Sequence, residues 1–154
     1  FKRYRPFISH LFEHLMAVHD QLPISFVHGD YHPVNVLWNN DEITAVIDWE
    51  FCGIKPKIYD AANLVGCAGI EDPEGLGMPM VTTFLSSLLK TDLFNGMDGG
   101  DISRQWFASY VLALRFAWLS EWLRRKDEQM LDLEARYMRI LMTHEQDLAA
   151  IWFK

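Results

Sequence analysis

Three polar side chains that could share one metal–phosphate site lie within a short stretch of the sequence. Asp30 and Asn35 flank a four-residue loop inside residues 28–35, and Asp48 follows the apolar run 43–47. A hard cation such as Mg²⁺ prefers oxygen ligands and usually takes one or two carboxylates together with substrate phosphates. Asn35 and Asp48 fit that ligand set, which leaves Asp30 free to accept a proton from a substrate hydroxyl.

These side chains can meet only if the chain turns back between Asn35 and Asp48. Residues 34–38 and 43–47 are rich in β-branched side chains, and the polar tetrapeptide 39–42 separates them. This pattern is typical of an antiparallel β-hairpin. The hairpin would return Asp48 to a position beside the first strand.

Most of the remaining sequence has the periodicity of amphipathic helices, with apolar residues at spacings of three and four. The expected helices cover residues 7–22, 59–65, 79–89, a long segment that begins after the N-cap Asp101, and 130–148. Glycine-rich segments at 66–77 and 95–100 predict loops. The fold class indicated is α+β and mostly helical, in one domain with one small β-hairpin.

The length, net charge and cysteine content of the chain limit the classes of protein to which it could belong. The chain has 154 residues, close to the length of about 150 residues expected of one domain. Its net charge of −7 argues against nucleic acid and against an anionic membrane surface as partners, since both select cationic surfaces. Cys52 and Cys67 make no disulfide framework, which is typical of reduced thiols in a cytoplasmic protein.

The polar residues also carry a family resemblance. Asp-x-x-x-x-Asn, followed by a strand–turn–strand that ends in an apolar-Asp-aromatic triplet, resembles the catalytic and metal-binding segments of the protein-kinase-like fold. His-Gly-Asp at 28–30 and Ile-Asp-Trp-Glu at 47–50 are similar to the aminoglycoside phosphotransferase and choline kinase branch, which phosphorylates small molecules. Tyr-Asp-Ala-Ala at 59–62 resembles a further element of that branch, and the resemblance covers roughly residues 24–66.

The resemblance implies a role for each matching residue. Asp30 would be the catalytic base that orients the acceptor hydroxyl, and Asn35 and Asp48 would hold Mg²⁺ on the phosphates of ATP. His28 would be a structural residue of the catalytic loop, and Asp60 would support that loop. The implied fold is the C-terminal lobe of a kinase, with the catalytic loop at 28–35, the hairpin at 34–48 and the helical body at 59–154.

The lobe that clamps the nucleotide has no counterpart in this sequence. In such kinases an N-terminal lobe supplies a glycine-rich loop over the phosphates and a lysine that pairs with them. Only 27 residues precede His28, and they contain no glycine. We therefore expect the 154 residues alone to be inactive, to expose apolar surface where the other lobe would pack, and to associate with a second copy through it.

Candidate acceptor-binding residues come from two places in the sequence. Trp118 and Trp122 belong to an aromatic stripe of the long helix and could form a wall for a cationic acceptor such as choline, held by cation–π attraction. Glu50 could instead serve a polyamine such as an aminoglycoside. Both alternatives predict a small cationic molecule with a hydroxyl group as the acceptor.

Two other functions remain open from the sequence. The chain could be a non-catalytic kinase-like lobe that acts as a binding or regulatory module. Alternatively, His28, Asp30, His32 and Asp48 could be the ligands of a transition metal in a hydrolase, although this reading leaves Asn35 and the hairpin unexplained.

A separate histidine pattern lies in the first predicted helix. His10-Leu11-Phe12-Glu13-His14 matches the inverted zinc-protease pattern His-x-x-Glu-His and places both histidines on one helix face. Such short patterns arise often by chance, and the sequence offers no evident third ligand. A solvated helix face is therefore the expected environment.

Overall fold

A computed structural model describes residues 2–94 and 100–154. The helices in these ranges are α1 (Arg5–His14), α2 (Met16–His19), α3 (Tyr59–Glu71), α4 (Pro79–Leu88), α5 (Gly100–Arg125), α6 (Glu128–Thr143) and α7 (Glu145–Trp152). The strands are β1 (Ile24–Val27), β2 (Val36–Asn39), β3 (Glu42–Val46) and β4 (Gly53–Pro56). Although α5 has 26 residues, none of the described helices is long and apolar enough to cross a bilayer. The predicted α+β, mostly helical class is confirmed.

The predicted hairpin is present as the antiparallel pair β2–β3. Its strands extend into the polar tetrapeptide, so that the turn consists of Asn40 and Asp41. Asn40 has a φ of 54°, a left-handed conformation that asparagine tolerates better than most residues. The first strand is preceded by a short 3₁₀ turn, Pro33–Asn35.

A second strand pair shows that the expectation of a single hairpin was wrong. Strand β1 pairs antiparallel with β4, from Ile24 opposite Pro56 to Val27 opposite Gly53. Both strands have four residues, and β4 contains a glycine and a proline. Such a segment has no strand pattern of its own and becomes a strand because β1 provides its hydrogen-bonding partner.

Several helix boundaries differ from those predicted. The segment 7–22 is divided at Leu15 into α1 and α2, and the segment 130–148 is divided at His144 into α6 and α7. Helix α5 includes Asp101 instead of beginning after it, and residues 95–99 of the predicted loop at 95–100 lie outside the described ranges.

Helix α3 continues through glycines that predicted a loop at 66–77. Gly69 lies inside this helix, where a Cβ atom would overlap the side chains of Leu76 and Tyr137. This glycine therefore permits close packing and does not end the helix. The chain leaves α3 only at Asp72, which caps the 3₁₀ turn Pro73–Gly77.

The core lies where α3, α5, α6 and α7 pack together, with α1 closing one side. Its largest fully buried apolar side chains are Phe7, Ile58, Leu76, Leu85, Phe107, Leu112, Tyr137, Met138, Leu141 and Trp152. Trp152 also donates a hydrogen bond of 2.7 Å from its indole nitrogen to the carbonyl of Leu76. This bond ties the last helix to the turn that follows α3.

A buried ion pair joins α5 to α6 inside this core. Arg115 Nε lies 3.1 Å from Glu134 Oε2, and Arg115 Nη2 bonds the other carboxylate oxygen. Both side chains are almost fully buried. Because neither charge reaches water, each depends on the other for its solvation.

We predict that Glu134→Gln strongly destabilises the protein, since it leaves the Arg115 guanidinium buried without a counter-charge. Removing one partner of a buried pair costs about 3–5 kcal/mol, which denaturant unfolding would measure. Glu121→Gln is the matched control, because Glu121 pairs with Arg124 and Arg125 on the surface of α5. Equal losses of stability in the two variants would contradict the prediction.

Candidate active site

The loop after β1 is attached to helix α3 by a single carboxylate. Asp60, in the first turn of α3, accepts hydrogen bonds of 2.8 Å from the backbone N–H groups of both His28 and Gly29, one on each carboxylate oxygen. Asn63, one helical turn later, donates a bond of 3.2 Å to the carbonyl of Tyr31. The position of the loop is therefore set by α3.

Gly29 is required by the same geometry. Its φ is +85°, and a Cβ atom there would overlap the carbonyl oxygen of Phe51. Only glycine adopts this conformation without strain and allows the backbone of the turn after Asp48 to approach so closely.

His28 connects the loop to the end of β3. Its ring is buried, and its Nδ1 accepts a 3.2 Å hydrogen bond from the backbone N–H of Asp30. Nε2 must then carry the proton and donate to the carbonyl of Ile47, 2.8 Å away. Because both ring nitrogens are occupied, His28 offers no lone pair to a cation. The hydrolase ligand set of His28, Asp30, His32 and Asp48 is thus incomplete in this structure.

Asn35 and Asp30 form one hydrogen-bonded unit. The Asn35 amide nitrogen donates to the carbonyl of Asp30 at 3.0 Å and to its carboxylate oxygen Oδ2 at 3.3 Å. Asn35 is buried, and the Asp30 side chain is 19% exposed. Within the described ranges no donor reaches Asn35 Oδ1, so this oxygen is the atom that could coordinate a cation.

Asp48 is aligned with this unit by the strand register. The backbone N–H of Ile47 donates a 2.9 Å hydrogen bond to the carbonyl of Asn35, which places the next residue beside the loop. Asp48 is exposed and has a φ of 65°, a left-handed conformation that is uncommon outside glycine. Conformations of this kind are concentrated at sites where the side-chain direction matters.

A cleft of about 930 Å³ opens beside the loop. Trp118 and Trp122 of α5 line it and stack on each other with ring centroids 6.0 Å apart. The remaining walls are largely apolar and include Met78, Met80, Met130 and Leu133. Glu50 is exposed in the turn after Asp48 and does not line this cleft.

Within the loop, His32 lies between Asp30 and the cleft, a position that the sequence did not reveal. Its Nε2 is 3.4 Å from Asp30 Oδ2, and the same side chain forms part of the cleft wall. Glu71 and Asp72 also line the cleft and give it acidic groups in place of Glu50. Nothing in the local sequence distinguishes these residues from ordinary loop and helix-end residues.

Cys67 is another wall residue of the cleft, and its surroundings disfavour the reactive thiolate. Burial raises the pKa of its thiol, and the neighbouring Arg115 only partly opposes this effect. Because the thiolate is the reactive form of cysteine, this shift lowers the reactivity of Cys67.

The comparison with known families agrees with the geometry of the loop. The model of the phosphotransferase enzyme family matches residues 2–89, more than half of the chain. The chain therefore belongs to this family, and the resemblance to aminoglycoside phosphotransferases is confirmed. No curated protein and no solved structure matches the chain.

We predict that Asp60→Asn loosens the loop, because an amide presents only one oxygen to the two N–H groups of His28 and Gly29. Hydrogen–deuterium exchange should show faster exchange of these two amides, with a stability loss of about 1–3 kcal/mol. The control is Asp41→Asn in the exposed hairpin turn. Unchanged protection at both amides would show that the carboxylate does not hold the loop.

Proposed function

We propose that the protein is the catalytic lobe of a kinase that transfers the γ-phosphoryl group of ATP to a hydroxyl of a small molecule. Membership of the phosphotransferase family supports the reaction class. The observation that carries the proposal is the unit formed by Asn35 and Asp30, in which one amide nitrogen holds a carboxylate and the amide oxygen has no donor among the described residues. Kinase catalysis consists mainly of positioning and charge stabilisation, which such a unit can provide.

Asp30 is the residue that receives the proton in this proposal. As the acceptor oxygen forms a bond to the γ-phosphorus, the bond between that phosphorus and the oxygen bridging to the β-phosphate breaks, and ADP leaves. The hydroxyl proton passes to the Asp30 carboxylate. Asn35 holds this carboxylate through its amide nitrogen, and His32 lies against the same oxygen on the side of the cleft.

The donor set also fits Mg²⁺. Asn35 Oδ1 and the Asp48 carboxylate are hard oxygen ligands, and two protein ligands are what Mg²⁺ usually takes beside nucleotide phosphates. When bound, the ion would neutralise charge that develops on the phosphates. Asp48 would be the second residue to hold the ion, and its left-handed backbone is a conformation typical of functional sites.

The nucleotide clamp in this proposal comes from chain outside the 154 residues. The strands expose large apolar side chains, and exposed apolar surface of this kind is typical of an interaction site. Those on the two strand pairs are Ile24, Phe26, Leu37, Trp38, Ile43 and Ile54. We propose that this surface packs against the lobe that supplies the glycine-rich loop and the lysine. When that lobe is absent, a second copy of the chain covers the surface.

The cleft favours an acceptor with an apolar body and one cationic group. Arg125 already lies 5.5 Å from the ring centroid of Trp122, so Trp118 is the better candidate to receive a cation from the acceptor. Glu71 and Asp72 add negative charge to the same wall. A choline-like acceptor fits these walls better than a polyamine that would require Glu50.

We predict that Asp30→Ala abolishes transfer from Mg·ATP in the two-lobed protein while its circular dichroism spectrum stays unchanged. General-base assistance is normally worth about 10²-fold or more in kcat. Asp41→Asn is the control and should keep wild-type kcat. A residual kcat above about a tenth of wild type would contradict the assigned role. Absence of transfer in the wild type, across a panel of hydroxyl acceptors, would favour the non-catalytic module instead.

We predict that Trp118→Ala raises KM for a quaternary ammonium alcohol by about tenfold, the loss expected for a desolvated cation–π contact. The kcat value should change much less, because the ring does not touch the reacting atoms. Glu50→Gln should leave both constants unchanged. If Glu50→Gln raised KM and Trp118→Ala did not, the acceptor would bind outside the cleft.

A further inference from the structure

A second group of metal-binding side chains lies where α1 meets α7. His10 and His14 are one turn apart on α1, and Glu145 is the first residue of α7. The three ligand atoms lie within 4.8 Å of one another. The expectation of a solvated helix face was wrong for His10, whose side chain is only 15% exposed. The third group of the cluster, for which the sequence offered no candidate, is a carboxylate from the other end of the chain.

The spacing of these atoms suits a tetrahedral metal ion. Glu145 Oε2 lies 3.1 Å from His10 Nε2 and 3.7 Å from His14 Nδ1. In a tetrahedral zinc site with bonds of about 2.0–2.1 Å, neighbouring ligand atoms are about 3.3 Å apart. The two observed distances lie on either side of that value. The stacked rings of His10 and His14 would turn so that both nitrogens point to one ion.

The same contacts do not form an ordinary hydrogen-bonded pair. His10 Nε2 approaches Glu145 closely, but it is buried without a hydrogen-bond partner among the described residues. The rings of His10 and His14 stack with their centroids 4.2 Å apart.

The surroundings orient the carboxylate as a metal ligand. The hydroxyl of Ser109, which is buried in α5, donates to Glu145 Oε1 and leaves Oε2 to face the two histidines. Hydrogen bonds of this kind to the second oxygen of a ligand are typical of metal sites. The indole of Trp106, which meets the His14 ring edge-on, has a buried N–H without a partner in the described part of the chain.

We propose that His10, His14 and Glu145 bind a Zn²⁺ ion that joins the first helix of this lobe to the last. Two imidazoles and a carboxylate form a ligand set that zinc accepts, with a fourth position left for water. His14 is 36% exposed, which gives solvent and the ion a path to the site. Mg²⁺ does not compete here, because it requires mostly oxygen ligands.

The proposal is tested by titrating ZnCl₂ into chelator-treated protein by calorimetry, in the presence of excess Mg²⁺. We expect one equivalent of zinc to bind and the melting temperature to rise with it. His10→Ala, His14→Ala and Glu145→Gln should each weaken binding at least tenfold. His19→Ala is the matched control, since His19 is a partly exposed histidine of α2 outside the cluster, and it should bind zinc as the wild type does.

The Asp48→Asn variant tests whether zinc binds at the catalytic loop instead of at this cluster. We expect this variant still to bind one equivalent of zinc. Co²⁺ in place of zinc should give the visible absorption of a tetrahedral complex in the wild type and not in His14→Ala. Circular dichroism of the metal-free variants establishes that they are folded. Either of two results would overturn the proposal: no zinc binding by the wild type, or binding that survives in His10→Ala and His14→Ala. The cluster would then be an ion pair only.

Discussion

The loop of the candidate active site depends on one carboxylate that accepts hydrogen bonds from two backbone N–H groups. Asp60 binds the amides of His28 and Gly29 at 2.8 Å each, and so fastens the loop to the first turn of α3. The half-buried carboxylate of Asp60 accepts from two N–H groups that are not paired within a strand or helix. Hydrogen bonds to a charged acceptor are stronger than those to a neutral one. With the loop anchored there, His28 can reach Ile47, and the backbone N–H of Ile47 can bind the carbonyl of Asn35.

The helical body provides the rigidity that this anchor needs. Helix α3 is packed against its neighbours through Gly69, and α5 is tied to α6 by the buried pair of Arg115 and Glu134. The same pair lines the cleft that opens beside the loop. If the cleft binds the acceptor as proposed, acceptor binding and stability share residues, and a substitution of either member of the pair is expected to affect both.

The two proposed cation sites differ in the chemistry of their ligands, so that each selects its own ion. The loop offers the amide oxygen of Asn35 and the carboxylate of Asp48, which suit a hard ion held jointly with nucleotide phosphates. The helix junction offers two imidazole nitrogens and one carboxylate, which suit zinc. The Mg²⁺ ion at the loop would take part in phosphoryl transfer, and the Zn²⁺ ion at the helix junction would join the first and last helices of the lobe.

Much of the loop could be predicted from the sequence, because Asp30, Asn35 and Asp48 lie within one turn and one hairpin, where spacing along the chain decides spacing in space. Family resemblance added Asp60. The pairing of β1 with β4, the place of His32 between Asp30 and the cleft, and the absence of Glu50 from its wall could not be predicted. The contact of His10 and His14 with Glu145 could not be predicted from the sequence either. Local hydrogen bonds and turns depend on residues that are neighbours in the sequence, so the sequence predicts them. These other contacts depend on how helices and strands pack. Packing brings together residues that are far apart in the sequence, and nothing in their spacing predicts the contact.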